Sequence, residues 1–560
     1  MFKMKKFFKI AVPVFLIAVI AVAVAAVLTD GFKNPVAKTS YSYSEKKPTS
    51  GKCGDNLKWS FDSETNVLEI KGKGAMYDYD DHYEDYYHCC EFEPEDNCPP
   101  WLTAAHEYKI YSVVIDNGVT NIGDYAFSFL QNLESVTIPD SVTSIGISAF
   151  SGCDNLTSIT IPDSVTTIEQ YAFFGCDRIK NITVPYSVSV IEPGAFVGEG
   201  LISIHVDESN PNFSNDENGV LFNKDKTELL QYPGGRDFAF YVVPDSVVSI
   251  SKDSFAICQY LEKIMLRSNV KNIAPNALDC DEFRGIYVEE SNPYFSNDEN
   301  GVLFNKDKTE LIQFPRSSSI ESYSIPDGVT SINDRAFVHA GFLESITLPD
   351  TLTSIGDSSF LGCWFESLSI PDSVTSVGES AFSYCNLLEN ITIGKGIKSI
   401  SESMFSNCIN LEKITIPDTV TSIGDGAFGY CDVLTDVTIG NGVKTIGKRA
   451  FDSCYNLESV TFGKNVKTIG DNAFNLCFCL RDAVIPDSVT NIGDGAFFSC
   501  SDLTDITIGK GVKTIGEKAF DYNLKDIHYV GSREEWTKIS VHESNDFTSV
   551  IIHYNSTQSE

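Results

Sequence analysis

The sequence is poor in basic residues and in histidine. Its 560 residues contain 42 Lys and Arg against 77 Asp and Glu, which gives a formal net charge of −35, and only 8 His. Nucleic acids and anionic membrane surfaces attract Lys and Arg, so this charge balance excludes nucleic-acid binding and disfavours docking on acidic lipid. We therefore expect any partner to be neutral, basic or bridged by cations.

The sequence also lacks the short motifs that accompany common catalytic sites. It contains neither G-x-S-x-G nor H-E-x-x-H. Residues 442–448 spell G-x-x-x-x-G-K, but Arg449 stands where a phosphate-binding loop needs Ser or Thr, and both glycines belong to the repeat described below. We therefore expect no catalytic residue, no cofactor and no metal, and hence no enzyme.

Long apolar runs are absent except at the N-terminus. Four lysines among the first nine residues precede an uncharged run over residues 10–28, a pattern that predicts export of everything after it. The run contains Ala-x-Ala, as a cleaved signal peptide does, and its 19 residues are near the ~20 that span a bilayer. Residues 1–29 are therefore predicted to be a signal peptide or an N-terminal membrane anchor, the chain's only membrane contact. Polar residues 30–50 are predicted to be a linker.

The dominant feature of the sequence is an internal repeat marked by phenylalanine. Most of the marked positions are 23 residues apart, one spacing is 22, and two gaps of 59 leave 36 inserted residues in each. With Leu278 taking the place of Phe once, the chain has 15 units. The marked positions are Phe127, Phe150, Phe173, Phe196, Phe255, Leu278, Phe337, Phe360, Phe382, Phe405, Phe428, Phe451, Phe474, Phe497 and Phe520.

Residues 411–433 show one unit in full. Leu411, Ile414 and Ile416 form an L-x-x-I-x-I stripe, and this alternation predicts a half-buried strand. A Pro-Asp turn follows, and further apolar residues lead to Phe428 and Cys431. A unit of 23 residues cannot bury so many apolar groups alone, so the units must stack into a solenoid with strands about 4.8 Å apart.

This unit resembles the repeat of the BspA-type leucine-rich repeat family. Residues 411–431 match its signature L-x-x-I-x-I-P-x-x-V-x-x-I-G-x-x-A-F-x-x-C nearly in full. The resemblance implies a mainly β fold: an elongated, right-handed leucine-rich-repeat solenoid of about 15 coils with parallel strand ladders. The solenoid would span residues 110–523, with hairpin insertions near 207–242 and 289–324.

Both ends of the repeat region look like the modules that flank such repeats in bacterial surface proteins. Residues 51–109 are similar to the N-terminal module, and residues 524–560 are similar to the usual C-terminal end. We expect β-rich caps that cover the exposed edges of the solenoid. Ser532 and Glu535 have the spacing of a capping box, which predicts a short helix in the second cap.

The resemblance implies a function only in outline. Members of the family are mostly secreted or surface proteins used in adhesion and recognition, and they carry no catalytic residues to transfer. We expect an exported, non-enzymatic protein, anchored at the cell surface or secreted, that binds an extracellular protein or another cell-surface ligand. Two alternatives stay open: a structural surface spacer without a specific ligand, and an enzyme or metal-binding protein with its site in the N-terminal cap.

The two insertions carry near-copies of one segment. Residues 209–233 and 291–315 differ at three of 25 positions. Each places two apolar runs around a polar turn, which predicts a β-hairpin. Residues 214–219 also match the first half of a calcium loop, but Asp225 replaces the Glu that such a loop needs at its end, so a plain turn and a calcium site are both open.

Most cysteines occupy one repeated position. Ten of the 16 follow the repeat aromatic by three residues, whereas a disulfide framework would place them at varied positions. We therefore predict a ladder of small buried thiols. The central part of this structural ladder comprises Phe405, Phe428, Phe451, Phe474 and Phe497 with Cys408, Cys431, Cys454, Cys477 and Cys500.

Four further cysteines lie in the N-terminal cap. Cys53, Cys89, Cys90 and Cys98 are outside the repeat and in the predicted exported region, so two disulfides are expected there. A zinc site that uses His88 with the last three is the alternative, although adjacent cysteines have poor spacing for a tetrahedral metal.

The strands also suggest where a ligand would bind. Each carries an outward Thr at its middle, and the neighbouring residues are small or charged, which gives a polar surface without an aromatic anchor. Such a surface is expected to bind broadly and weakly rather than in a deep pocket. The alternative is that β-branched residues merely suit exposed strand positions. The candidate residues are Thr392, Thr415, Thr438, Thr461, Glu412, Lys413 and Glu458.

Overall fold

The structure is a computed structural model that describes residues 49–80, 98–102 and 109–557. The predicted leader and most of the predicted linker lie outside these residues. Within the described ranges, no helix has the length and apolar character needed to cross a membrane.

The N-terminal end is an antiparallel sheet that continues into the repeats. Its strands are β1 (Ser50–Gly54), β2 (Leu57–Asp62) and β3 (Val67–Gly72), and the next strand, β4 (Gly74–Ala75), pairs in parallel with residues 119–121 of the first repeat. Strands β1, β2 and β3 pair in antiparallel fashion. Strand β3 then pairs in parallel with residues 112–115 of the first repeat, so this end covers the edge of the first coil.

The repeats supply short strands throughout. Before the first insertion these are β5 (Ser112–Ile115), β6 (Val119–Ile122), β7 (Ser135–Thr137), β8 (Ser144–Ile145), β9 (Thr167–Ile168), β10 (Asn181–Val184), β11 (Val190–Ile191) and β12 (Ser203–Val206). Through the two insertions they are β13 (Phe213–Asn215), β14 (Leu221–Asn223), β15 (Glu228–Gln231), β16 (Phe240–Val242), β17 (Ser249–Ile250), β18 (Lys263–Leu266), β19 (Asn272–Ile273), β20 (Gly285–Val288), β21 (Phe295–Asn297), β22 (Leu303–Asn305) and β23 (Glu310–Gln313).

The second half of the chain continues the same pattern. Its strands are β24 (Ser322–Ser324), β25 (Ser331–Ile332), β26 (Ser345–Thr347), β27 (Ser354–Ile355), β28 (Ser367–Ser369), β29 (Ser376–Val377), β30 (Asn390–Thr392), β31 (Ser399–Ile400), β32 (Lys413–Ile416), β33 (Ser422–Ile423), β34 (Asp436–Ile439), β35 (Thr445–Ile446), β36 (Ser459–Thr461), β37 (Thr468–Ile469), β38 (Asp482–Ile485), β39 (Asn491–Ile492), β40 (Asp505–Ile508) and β41 (Thr514–Ile515). The C-terminal end holds β42 (Asp526–Tyr529), helix α1 (Arg533–Trp536), β43 (Ser540–Val541) and β44 (Ile551–Tyr554).

Two parallel ladders run along the solenoid. The longer strands form the first ladder, which includes β32, β34 and β36, and the two-residue strands form the second, which includes β33, β35 and β37. In the first ladder Ile414 lies opposite Val437, and in the second Ile446 lies opposite Ile469. Because the register matches apolar residues to each other, the sequence alternation becomes continuous buried rows. The predicted mainly β solenoid with parallel ladders is confirmed.

The aromatic residues form a stack inside the solenoid. The rings of Phe428 and Phe451 are 5.1 Å apart at an interplanar angle of 3°, and both side chains are fully buried. Trp101 stacks on Phe127 at one end of the row. Offset stacking of this kind adds to the free energy of burial.

The insertions are enlarged coils rather than separate hairpins. Strands β13, β14 and β15 pair in antiparallel fashion, as the sequence predicts, and β15 then pairs in parallel with β17 of the second ladder. Each insertion ends on a ring of the aromatic stack: Tyr232 stacks on Phe255, and Phe314 stacks on Phe337. The solenoid therefore has about 19 turns rather than 15.

The C-terminal end extends both ladders. Strand β42 pairs with β40, β44 pairs with β42, and β43 pairs with β41, all in parallel. The predicted capping box of α1 is confirmed, because Glu535 N donates to Ser532 Oγ at 3.3 Å and Ser532 N donates to Glu535 Oε2 at 2.8 Å.

Candidate binding face

The first ladder exposes one side of every strand to solvent. We call this outward side the strand face. On β32, β34 and β36 the register places Thr415, Thr438 and Thr461 opposite one another, and all three are exposed. Thr392 is exposed at the equivalent position of β30. The candidate threonines thus occupy one row.

Two of the charged candidates beside this row pair with residues of the neighbouring coil. Lys413 Nζ lies 2.8 Å from Asp436 Oδ2, and Asp436 Oδ1 accepts a 2.8 Å hydrogen bond from Ser459. Bonds from Lys413, Ser459 and Thr435 lower the pKa of Asp436 to about 2. Glu458 pairs loosely with Arg481 at 3.8 Å. This part of the face is polar and largely self-neutralised.

The charge pairs follow from the stacking of unlike residues. Side chains at one position of consecutive coils lie at strand spacing, where unlike charges attract and like charges repel. Lys413 and Asp436 occupy such neighbouring positions. Exposed pairs of this kind contribute little free energy, so the face is free to exchange them for contacts with a partner.

The thiols bond to the coil before them. Cys431 Sγ donates to Phe405 O at 3.3 Å, and Cys454 Sγ donates to Phe428 O at 3.2 Å. Cys408, Cys477 and Cys500 make the equivalent bonds to Phe382, Phe451 and Phe474. All five are free cysteines with no exposed surface. Burial raises the pKa of each thiol, so they remain protonated and unreactive.

The cap cysteines differ from the expectation at one position. Cys53 is a free thiol, fully buried in the core of the N-terminal end, and burial raises its pKa to about 12. It therefore packs as a small apolar residue instead of joining a disulfide. Cys98 is disulfide-bonded. Cys89, Cys90 and His88 lie outside the described residues.

The possible calcium loop is built as a turn. In the first insertion, Asp216 Oδ1 accepts hydrogen bonds from the backbone N of Asn218 and of Val220, both at 2.9 Å. Ser214 Oγ donates to the backbone O of Asn223 at 3.0 Å. These groups face their own backbone, as in an Asx turn. Among the described residues, no cluster of three or more His, Cys, Asp or Glu side chains has an arrangement that could hold a metal ion.

One part of the strand face is apolar, which the sequence pattern did not reveal. On β16, β18 and β20 the outward row consists of Val242, Met265 and Tyr287 in place of threonine. Phe240 stands beside them and is 49% exposed. The expectation of a face without an aromatic anchor is therefore wrong for these three strands. The insertions interrupt the 23-residue spacing here, and aligning each coil on its strand would have shown the change.

Comparison with known proteins gives the family. The model of the BspA type leucine-rich repeat region matches residues 104–217, 236–317, 308–435 and 421–542, with six copies. The matched ranges cover well over half of the chain. Proteins of this type are typically non-enzymatic repeat scaffolds, and the fold indicates protein binding in general. Comparison with curated proteins gave no match.

Several solved structures are similar to the chain. A leucine-rich repeat protein from Eubacterium ventriosum is 22% identical, with a TM-score of 0.38, over 81% of this chain and 95% of that protein. A leucine-rich cell surface protein from Faecalibacterium prausnitzii is 22% identical, with a TM-score of 0.35, over 88% and 98%. The pneumococcal vaccine antigen PcpA is 18% identical, with a TM-score of 0.33, over 91% and 100%. On the strength of the family match, the chain belongs to the BspA-type leucine-rich repeat family.

Proposed function

We propose that the protein is exported and acts at the cell surface, or after secretion, by binding another protein with its strand face. One observation carries this proposal: consecutive parallel strands hold Thr415, Thr438 and Thr461 outward in register, while the aromatic and thiol rows lie buried beneath them. Family membership supports a binding or surface role carried by the repeats.

The chemistry of the face favours broad contact. Its side chains are threonines and paired charges such as Lys413 and Asp436, which suit a large partner better than a small substrate. The net charge of −35 would favour a neutral or basic partner. A structural spacer without a ligand is the alternative, and it differs in predicting no specific binding.

Export can be tested separately from binding. The four N-terminal lysines and the apolar run over residues 10–28 support it. N-terminal sequencing of the protein recovered from the producing cells should give a start beyond this run if the segment is cleaved. Protease treatment of intact cells should remove the repeats if the segment is an anchor. Repeats that resist protease until the cells are lysed, on a chain that keeps its first residues, would contradict export.

Binding is tested with the full chain and a panel of purified extracellular-matrix and serum proteins. Glutamate at Thr347, Thr415 and Thr461 should weaken the binding of a panel protein, because three carboxylates would disrupt an extended contact on the strand face. The control places glutamate at Thr445 and Thr468 of the second ladder. Equal effects of the two variants would place binding elsewhere, and no binding by the unmodified chain would favour the spacer.

A further inference from the structure

The two insertions enclose a three-stranded segment of the strand face. Strands β16, β18 and β20 pair only with one another within the first ladder. Their inward row is Tyr241, Ile264 and Ile286, all buried, and their outward row is Val242, Met265 and Tyr287. We call the outward side of these three strands, with Phe240 and Phe238, the central patch.

The central patch exposes aromatic surface. Phe240 is 49% exposed and Phe238 is 43% exposed, and the Arg236 guanidinium lies 4.4 Å from the centre of the Phe238 ring. A Cβ at Gly285 would lie 2.8 Å from the Tyr287 hydroxyl, so the Tyr287 ring lies across this glycine. Aromatic residues that carry an apolar body and a polar tip are typical anchors of protein interfaces.

Each side of the patch is bounded by the turn of one insertion. On one side Ile204 N of β12 donates to Gly219 O at 3.0 Å, and the Tyr241 hydroxyl of β16 donates to Asp216 Oδ2 at 3.4 Å. The first turn therefore lies between β12 and β16.

The other side repeats this arrangement. Ile286 N of β20 donates to Gly301 O at 2.9 Å, and the Tyr323 hydroxyl of β24 donates to Asp298 Oδ2 at 2.9 Å. The second turn therefore lies between β20 and β24. Because the two insertions are near-copies, the same turn borders the patch twice.

Each turn adds an acidic side chain to its border of the patch, and on the first side Arg236 Nη2 also donates to Asn218 Oδ1 of the turn at 3.2 Å. Each turn carries an exposed glutamate, Glu217 on one side and Glu299 on the other. The two turns are separated by three strands. The distance between the turns is therefore four strand spacings, about 19 Å. Lys263 lies between them on β18, in register with Phe240. Its aliphatic stem can extend the apolar surface while its ammonium group stays in water.

We propose that the central patch binds a segment of a partner protein that presents apolar side chains between two basic groups about 19 Å apart. This inference rests on the proposed function and locates its binding centre. A second copy of the chain is a poor occupant, because two chains with a net charge of −35 repel each other. An anionic lipid surface would be repelled by the two glutamates.

The test uses the full chain and three fluorescent peptides of about 13 residues, the helical length that spans 19 Å. The first has an apolar centre and two lysines at each end. The second has the same centre with glutamates at the ends, and the third keeps the lysines but has a serine-rich centre. Fluorescence anisotropy should show binding of the first peptide, and the other two should bind about tenfold more weakly or not at all.

Two variants assign the contacts. The patch variant, Val242→Thr with Met265→Thr and Tyr287→Thr, introduces the residue that other coils carry at this position, so the fold should be kept. It should bind the first peptide about tenfold more weakly. The border variant, Glu217→Gln with Glu299→Gln, should remove the preference for lysine over glutamate ends. The matched control, Ser422→Ala with Thr445→Ala and Thr468→Ala on the second ladder, should bind like the unmodified chain.

Several outcomes would overturn the inference. Equal affinity of the patch variant and the unmodified chain would do so, as would no preference among the three peptides. Binding of vesicles of phosphatidylcholine and phosphatidylglycerol by the unmodified chain but not by the patch variant would assign the patch to lipid instead. Another outcome is a panel protein that binds the unmodified chain and the patch variant equally, but loses binding when glutamate is placed at Thr347, Thr415 and Thr461. That result would support the proposed function and contradict binding at the central patch.

Discussion

The Sγ atom of Cys454 donates a 3.2 Å hydrogen bond to the backbone oxygen of Phe428, which lies in the preceding coil. Both residues are fully buried. A buried backbone oxygen without a partner would lose its hydration and gain nothing in return. The thiol therefore serves two purposes at once: it fills a small apolar site, and it satisfies the carbonyl of the coil before it.

Removal of this thiol should destabilise the solenoid. Cys454→Ala deletes the hydrogen bond and leaves a small cavity, and we expect a loss of about 1–2 kcal/mol in the free energy of unfolding, measured by urea denaturation. The control is Cys479→Ala, because Cys479 is half-buried and outside the row. That variant should stay within about 0.5 kcal/mol of the unmodified chain. Similar losses for both variants would mean that a thiol in the buried row adds no more to the free energy of unfolding than a half-buried cysteine outside it.

The thiol row should make the protein sensitive to alkali. Burial raises the pKa of Cys363 to about 12 and that of Cys454 well above its usual 9.0. The folded state therefore holds protons that the unfolded chain releases above pH 9.0, so the stabilisation is complete below that pH and declines as the pH rises further.

At pH 10 the loss should be about 1.4 kcal/mol for each buried thiol. Urea midpoints measured between pH 7 and pH 11 should fall above pH 9, and they should fall less steeply for Cys431→Ala combined with Cys454→Ala and Cys477→Ala. Parallel pH profiles for the two proteins would show that other groups cause the decline.

The aromatic stack should tolerate leucine better than alanine. Phe451 lies between Phe428 and Phe474 with ring centres 5.1 and 5.2 Å away, and it is fully buried. Phe451→Ala should lower the free energy of unfolding by about 3–5 kcal/mol. Phe451→Leu should lower it by roughly 1–2 kcal/mol, since Leu278 fills this position in another coil. Phe498→Ala is the exposed control, and a loss as large as that of Phe451→Ala would contradict the packing account.

The near-identical insertions offer an internal control. Asp216 accepts two backbone hydrogen bonds that close the first turn, and Asp298 does the same in the second. Asp216→Ala should therefore speed amide hydrogen exchange in residues 213–231 while residues 295–313 keep the rate of the unmodified chain. Unchanged exchange in the first insertion would show that the carboxylate does not hold the turn, and equal acceleration in both would indicate a global effect.

The fold was predictable because its information is local and periodic. The stripe of Leu411, Ile414 and Ile416, and the phenylalanine that each unit carries at the position of Phe428, indicate which residues face inward. The units must stack because these residues have to be buried. The count of coils was not predictable in the same way. Trp101 and Tyr232 complete the aromatic stack without being phenylalanine, and Phe314, although it precedes Phe337 by the regular 23 residues, lies inside an insertion that hides its repeat.

Some backbone conformations of the repeat cannot be predicted from the residue types that adopt them. Ser403 and Asn407, which lie two residues before and two residues after Phe405, adopt a left-handed backbone conformation with φ of 51° and 59°. Arg449 and Ser453 do the same around Phe451. Glycine and asparagine usually mark such conformations, and here serine and arginine adopt them as well as Asn407, because backbone bonds between coils hold them there. Phe405 N, for example, donates to Ala427 O at 2.8 Å.

The candidate site was predictable only in part. The row of Thr415, Thr438 and Thr461 follows from strand alternation, since every second residue of a strand faces solvent. The central patch does not, because its position between two turns depends on how the insertions fold back onto β12 and β20. Aligning the coils on their strands would place Val242, Met265 and Tyr287 at the threonine position, but only the three-dimensional structure shows that they lie between two turns.

Side-by-side binding of one panel protein to three forms of the full chain tests the central claim most directly. Biolayer interferometry would compare the unmodified chain, the patch variant, and the control with glutamates at Thr445 and Thr468. We predict binding by the unmodified chain and the control and about tenfold weaker binding by the patch variant. Binding of equal strength by all three forms, or binding lost only in the control, would contradict recognition through the strand face at the central patch.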